Sequence, residues 1–128
     1  MGYTMSARPR VLVVDDDEPT AYAVDRALAT AGCDVTSVTR VANALDALER
    51  QPFDVLLTDI KMPGQPHGFA VAKMARVRQS LRGIFFMTAY PDLAQLAEED
   101  QTVFMKPLDL GMIAAAIHLA CDKPPPPP

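Results

Sequence analysis

The chain has 128 residues, 49% of them apolar and 22% charged, with a formal net charge of −4. That length is one domain's worth, since single cores usually run to roughly 100–150 residues and bury enough surface to fold without staples. The acidic balance argues against nucleic-acid binding through a basic face, and no apolar run approaches the roughly 18 residues needed to span a bilayer.

The N-terminus carries no apolar stretch behind its first basic residues, so no secretory signal is visible. Cys33 and Cys121 form no CxxC pair and are too few for a disulfide framework. A reduced, cytoplasmic, single-domain protein is expected.

Residues 1–8 lack apolar periodicity and form a lead-in. The string Met1-Gly2-Tyr3-Thr4-Met5-Ser6 fits the N-myristoylation pattern, which is short and permissive and is set aside. Val11-Leu12-Val13-Val14 begins a series of short apolar runs, each followed by a helical period. Behind it, Pro19 suits a first helical turn, Ala21, Val24, Ala27 and Leu28 share a face, and Gly32 stops the helix. The run Val35 to Val38 precedes a helix marked by Val41, Ala44, Leu45 and Leu48. Val55-Leu56-Leu57 leads into a Pro- and Gly-rich loop, Met62 to Gly68, and then a helix with Phe69, Ala72, Lys73 and Arg76 along it. Ile84 to Met87 precedes a brief helix, Pro91 to Glu99. Val103-Phe104-Met105 precedes the last, Leu108 to Leu119, which carries Met112, Ala116 and Leu119.

The first, third and fourth runs are apolar throughout, as strands buried on both faces of a parallel sheet are. Five β-then-α units predict an α/β fold with a five-stranded parallel sheet and helices on both faces. The domain is expected over residues 9–122, followed at 123–128 by a proline-rich tail or linker start.

Open sheets of this kind place their chemistry at the carboxyl ends of the strands. There the sequence sets Asp15-Asp16-Asp17-Glu18, then Thr58-Asp59, then Thr88-Ala89-Tyr90, then Lys106-Pro107. Asp17 and Glu18 are explained as a cap and a favourable charge at a helix start. Asp15 and Asp16 are not. If the first and third strands are neighbours, about 4.8 Å apart, both crowd Asp59. Crowded carboxylates repel unless one is protonated or a cation compensates, and Mg²⁺ suits an all-oxygen site that uses few carboxylates. Lys106 and Thr88, each bland alone, add an ammonium and a hydroxyl to the same rim. Such a set can take a phosphoryl group onto oxygen, with Asp59 as the nucleophile forming an acyl phosphate.

These segments, Val11 to Pro19, Leu56 to Gly64, Met87 to Tyr90 and Met105 to Pro107, resemble the receiver domain of two-component response regulators over nearly all of Arg10 to Cys121. The resemblance implies a flavodoxin-like, doubly wound sheet of strand order 2-1-3-4-5, an order for which a receiver protein is a standard example. It implies that Asp59 accepts phosphate from a histidine kinase or histidine phosphotransfer protein, in a signalling role and not as an enzyme with outside substrates. Asp16, Asp59 and the main-chain carbonyl of Lys61 would bind Mg²⁺ directly, and Asp15 through water. Lys106 would pair with the phosphoryl oxygens, and Thr88 would swing in after phosphorylation. Lys61 and Tyr90 would modulate the lifetime of the acyl phosphate, the Tyr90 ring by shielding it from water. A cis Lys106-Pro107 bond is expected.

Two departures from the family pattern stand out. Val103 occupies the place of a Tyr or Phe whose ring usually turns inward, and Phe104 should point to the other sheet face. The segment from Ala89 to Met105 is about one helical turn short, which predicts a short or irregular fourth helix, a remodelled docking surface and a possible homodimer through a non-standard interface. The Met62–Gly68 loop is one residue longer than usual. Its His67 is expected as a loop residue, with contact to the phosphoryl group or kinase as the sharper option, and His118 as a helix-surface residue.

The alternatives are a receiver-shaped module that works without phosphate and a Mg²⁺-dependent aspartyl-phosphate phosphatase. Lys61 stands where the phosphatase needs a second acid. A flavodoxin is excluded by the four acids after the first strand, where its phosphate loop would have to donate N–H groups. The chain either acts alone as a relay, phosphate sink or binding switch, or belongs to a longer protein.

Overall fold

In the computed structural model, which describes residues 8–63 and 67–122, strands and helices alternate through the chain. They are β1 (Arg10–Val14), α1 (Glu18–Thr30), β2 (Asp34–Val38), α2 (Val41–Arg50), β3 (Val55–Asp59), α3 (Gly68–Arg78), β4 (Gly83–Thr88), α4 (Pro91–Ala94), β5 (Thr102–Met105) and α5 (Leu110–Cys121). The sheet runs β2-β1-β3-β4-β5 with every pair parallel, the flavodoxin-like order expected. The strands built on the first, third and fourth apolar runs, β1, β3 and β4, are the three inner ones; β2 and β5 are the edges. The residues at 1–7, 64–66 and 123–128 lie outside the described part, and with them the myristoylation pattern, most of the lead-in and the proline tail. Among the described residues no helix is long and apolar enough to cross a membrane.

Strand alternation divides the interior into two layers. Val11, Val13, Leu57, Phe85 and Met87 face α1 and α5, packing with Val24, Leu28, Ile113 and Ile117. Leu12, Val14, Leu56 and Phe86 face α2 and α3, packing with Ala44, Leu48, Val71 and Ala75. Phe104 joins the first layer, its ring 5.8 Å from that of Phe85, whereas Val103 joins the second. The two residues therefore do point to opposite faces.

Helix α1 ends as its glycine predicts. Gly32 takes a φ of 94°, letting the Cys33 N–H reach the Leu28 carbonyl at 2.9 Å and its own N–H reach Ala29 at 3.1 Å.

Not every residue that marks α3 and α5 in the sequence faces the core. In α3 the buried residues are Gly68, Val71, Ala72 and Ala75, while Lys73 and Arg76 are exposed. In α5 the core takes Ile113, Ile117 and Cys121, leaving Met112 and Leu119 in solvent. That helix is apolar nearly all round, so its inner face is chosen by the sheet and α1 and not by periodicity.

Helix α4 stops after Ala94, well before Glu99. The next bonds are short-range turns, Leu96 N–H to Leu93 and Ala97 N–H to Ala94, and the Gln101 side chain captures the Glu98 N–H at 2.8 Å. In a continuing helix that amide would donate to the Ala94 carbonyl, which instead accepts the Ala97 N–H.

Candidate functional site

The carboxyl ends of β1, β3, β4 and β5 bring the predicted residues to one rim. Parallel register places Val14 beside Thr58 and Asp59 beside Met87, so the residues after β1 stand against the end of β3. The Ile60 N–H then bonds the Met87 carbonyl at 2.9 Å, and the Lys106 N–H bonds the Thr88 carbonyl at 2.8 Å, extending the ladder past the strands. The Lys106-Pro107 peptide is cis, as expected.

Asp15, Asp16 and Asp59 each offer an oxygen, and these atoms lie within 4.8 Å of one another. Asp15 is fully buried, Asp59 is nearly so, and Asp16 is exposed. One Asp15 oxygen accepts the Asp17 N–H at 2.9 Å, and the other accepts Lys106 Nζ at 2.8 Å. The same ammonium lies 3.5 Å from Asp59 Oδ2. Lys106 thus leans on Asp15 first, an arrangement that strand order alone did not disclose.

Asp17 caps α1, its carboxylate accepting the Thr20 N–H at 3.2 Å and the Thr20 hydroxyl. Those bonds hold the Asp17 carboxyl below its usual value. Its bland role as a cap is what the structure shows.

Charge follows from this packing. Burial, then the nearby Asp15 charge, push the Asp59 carboxyl up to about 7; Lys106 opposes them in part, and Asp16 adds to the rise. Burial works against the charge on Lys106, but the hydrogen bond and charge of Asp15, with the charge of Asp59, outweigh it and hold the ammonium above its usual pKa. A donor set made only of carboxylate oxygens, crowded enough to hold a proton near neutrality, fits a hard divalent cation.

Thr88 is buried, and its Oγ1 accepts the Tyr90 N–H at 3.1 Å. The Lys61 ammonium sits over the Tyr90 ring, 4.4 Å from its centroid. Lys61 and Tyr90, together with Asp16, Asp59 and Lys106, line a cleft of about 370 Å³.

A neighbouring cleft of about 540 Å³ shares Lys61 and Tyr90 but reaches His67, Phe69, Leu93 and Leu96. His67 lies there, and not in the acidic cleft. It is the residue before α3, its ring edge-on to Phe69, and its Nδ1 is buried with no hydrogen bond among the described residues. His118, expected on a helix surface, is half-buried instead, with Nε2 2.6 Å from the Ala31 carbonyl at the end of α1.

Gly68 escaped the sequence reading. A Cβ there would lie 2.0 Å from the Asp59 carbonyl oxygen and 2.8 Å from Ile60 Cα, so α3 can start this close to β3 only at a glycine. The sole hint was a lone glycine after a loop, which by itself signals only a turn.

Fold and acidic rim together are those of a two-component signalling module, and the chain belongs to the response regulator receiver domain family, whose profile matches residues 11–118. Over 114 residues it is 38% identical to the DNA-binding transcriptional regulator NtrC of Escherichia coli K12, covering 86% of this chain and 24% of that protein. It is 31% identical over 110 residues to the response regulator receiver protein CpdR of Brucella abortus, covering 86% of this chain and 87% of CpdR. The chain thus spans about a quarter of the NtrC relatives and most of CpdR. The crystal structure of a response regulator receiver protein from Sinorhizobium medicae superposes with a TM-score of 0.80 at 24% identity, covering 93% of this chain and 98% of that one.

Proposed function

We propose that this chain is a phosphoacceptor switch, with the receiver over residues 9–122, acting in the cytoplasm and receiving its phosphoryl group from a histidine kinase or histidine phosphotransfer protein. The observation that supports this most is the convergence of Asp15, Asp16 and Asp59 with Lys106 at one rim. Asp16 and Asp59 would hold Mg²⁺ directly with the Lys61 carbonyl, and Asp15 would hold it through water, a division supported by the bonds that Asp15 already accepts from the Asp17 amide and Lys106. Bound Mg²⁺ supplies positive charge to offset the acids and the incoming phosphoryl oxygens.

An ionised Asp59 oxygen attacks phosphorus, its P–O bond forming as the P–N bond of a phosphohistidine breaks; the bond's electron pair stays on the ring nitrogen, and the proton already on the other ring nitrogen makes the departing imidazole neutral. Lys106 then shifts its charge toward the new phosphoryl oxygens. Thr88 gives up its bond from the Tyr90 amide and turns its hydroxyl to them. The Lys61–Tyr90 pair at the cleft mouth limits water access and so sets the lifetime of the acyl phosphate.

Incubation with Mg²⁺ and acetyl phosphate or phosphoramidate should add one phosphoryl group by mass, and Asp59→Asn should abolish it. A second reading, a binding module that signals without phosphate, draws on Val103, which has no ring to turn inward. No phosphoryl gain in the wild-type chain would favour it.

A further inference from the structure

The shortened α4 leaves a groove open between α3 and the chain leading to β5. Two clefts, of about 540 Å³ and 520 Å³, meet there at Phe69 and Leu96. Its floor and lips are apolar: Phe69 stacks edge-on against Phe86 at 4.9 Å, while Leu96 and Val77 are 66% and 74% exposed. Lys73 and Arg76 form one edge, Asp92 and Glu98 the other, and all four are solvent-exposed. Glu99 and Asp100, next in the chain after Glu98, are also exposed, and Asp100 shares a further cleft with Arg76 at the end of the groove. Among the described residues no ion pair is formed by any of these six.

A patch of one sign fits a partner of the other. An apolar strip flanked by a basic edge and an acidic edge fits a copy of itself. We propose that this groove is a homodimer interface in which a two-fold axis runs along the apolar strip. That axis sets Lys73 and Arg76 of each copy on Glu98 and Asp100 of the other, and closes Phe69, Val77 and Leu96 from both sides away from water. An axis across the strip would set like charges together, so charge fixes the orientation as well as the partner. The interface needs no phosphoryl group on Asp59 and stands apart from the reading of the acidic cleft.

Sedimentation velocity over a concentration series, at low and high salt, tests this. The wild-type chain should show its mass doubling with concentration, and salt should weaken the dimer because exposed charges are screened. K73E/R76E and E98K/D100K should each weaken self-association at least about tenfold, and an equimolar mixture should recover the dimer as a heterodimer. Circular dichroism confirms that each variant folds. A wild-type chain that stays monomeric overturns the proposal, as does a dimer indifferent to the reversals. Folded variants whose mixture recovers no dimer overturn it too.

Discussion

Asp59 carries a proton on folding that it would not hold in an unfolded chain, because burial and the Asp15 charge lift its carboxyl from an ordinary 3.8 to about 7. A raised carboxyl pKa favours the folded state fully below the unfolded value, and that contribution is lost as pH rises through the folded value. Metal-free protein should therefore lose stability between about pH 4 and about pH 7. Thermal melts in a chelator should show this slope, Asp59→Asn should flatten it, and added Mg²⁺ should restore stability most at the alkaline end. A wild-type melting temperature flat across that range would show the three acids to be less strained than their spacing implies. The pressure on these acids was legible in the order of residues, since acidic strand ends on adjacent strands must meet. The preference of Lys106 for Asp15 was not, because it depends on where a flexible four-carbon stem comes to rest.

Helix α3 is held to β3 by a contact with no room to spare. Gly68→Ala should drive the start of α3 off the Asp59 carbonyl, costing about 1–3 kcal/mol, and should slow phosphoryl uptake because the neighbouring acid moves with its backbone. Gly32→Ala is the control: no atom lies within 4 Å of the added Cβ, yet the backbone sits at a φ of 94°. It should cost about 1–2 kcal/mol through conformation alone and leave uptake unchanged. Urea titration with phosphorylation assays on both variants separates the effects. Equal slowing in the two would remove Gly68 from any role in placing the acid.

At this scale the sequence conveys strands better than helix faces. The apolar runs of β1, β3 and β4 mark inner strands, while the equally apolar run Val103 to Met105 forms an edge, so a run shows a strand more surely than its place in the sheet. In α3 the buried residues are small and give little apolar contrast, and in α5 apolar residues occur on every side. Partners elsewhere in the fold decide both.

Across the whole molecule, the sheet stands between two packed layers that do not mix. Leu48 is buried from α2 on one side, and Ile117 from α5 on the other. Leu48→Ala should cost about 2–5 kcal/mol and Ile117→Val about 0.5–1.5 kcal/mol. The doubly substituted chain should lose the sum to within about 0.5 kcal/mol, as sites with no shared neighbours do. Chemical denaturation of the four proteins measures the coupling, and a larger departure would mean that the strands relay packing changes from one side to the other.

This partition bears on how such a molecule can diverge. Substitutions that refit the filling beneath α2 and α3, and so reshape the surface around Phe69, need no compensating change beneath α1 and α5. Descendants of one ancestor can acquire new associates on that side while inheriting an unaltered foundation on the other. The truncated fourth helix and Val103 both lie on the side where such refitting comes without wider disruption.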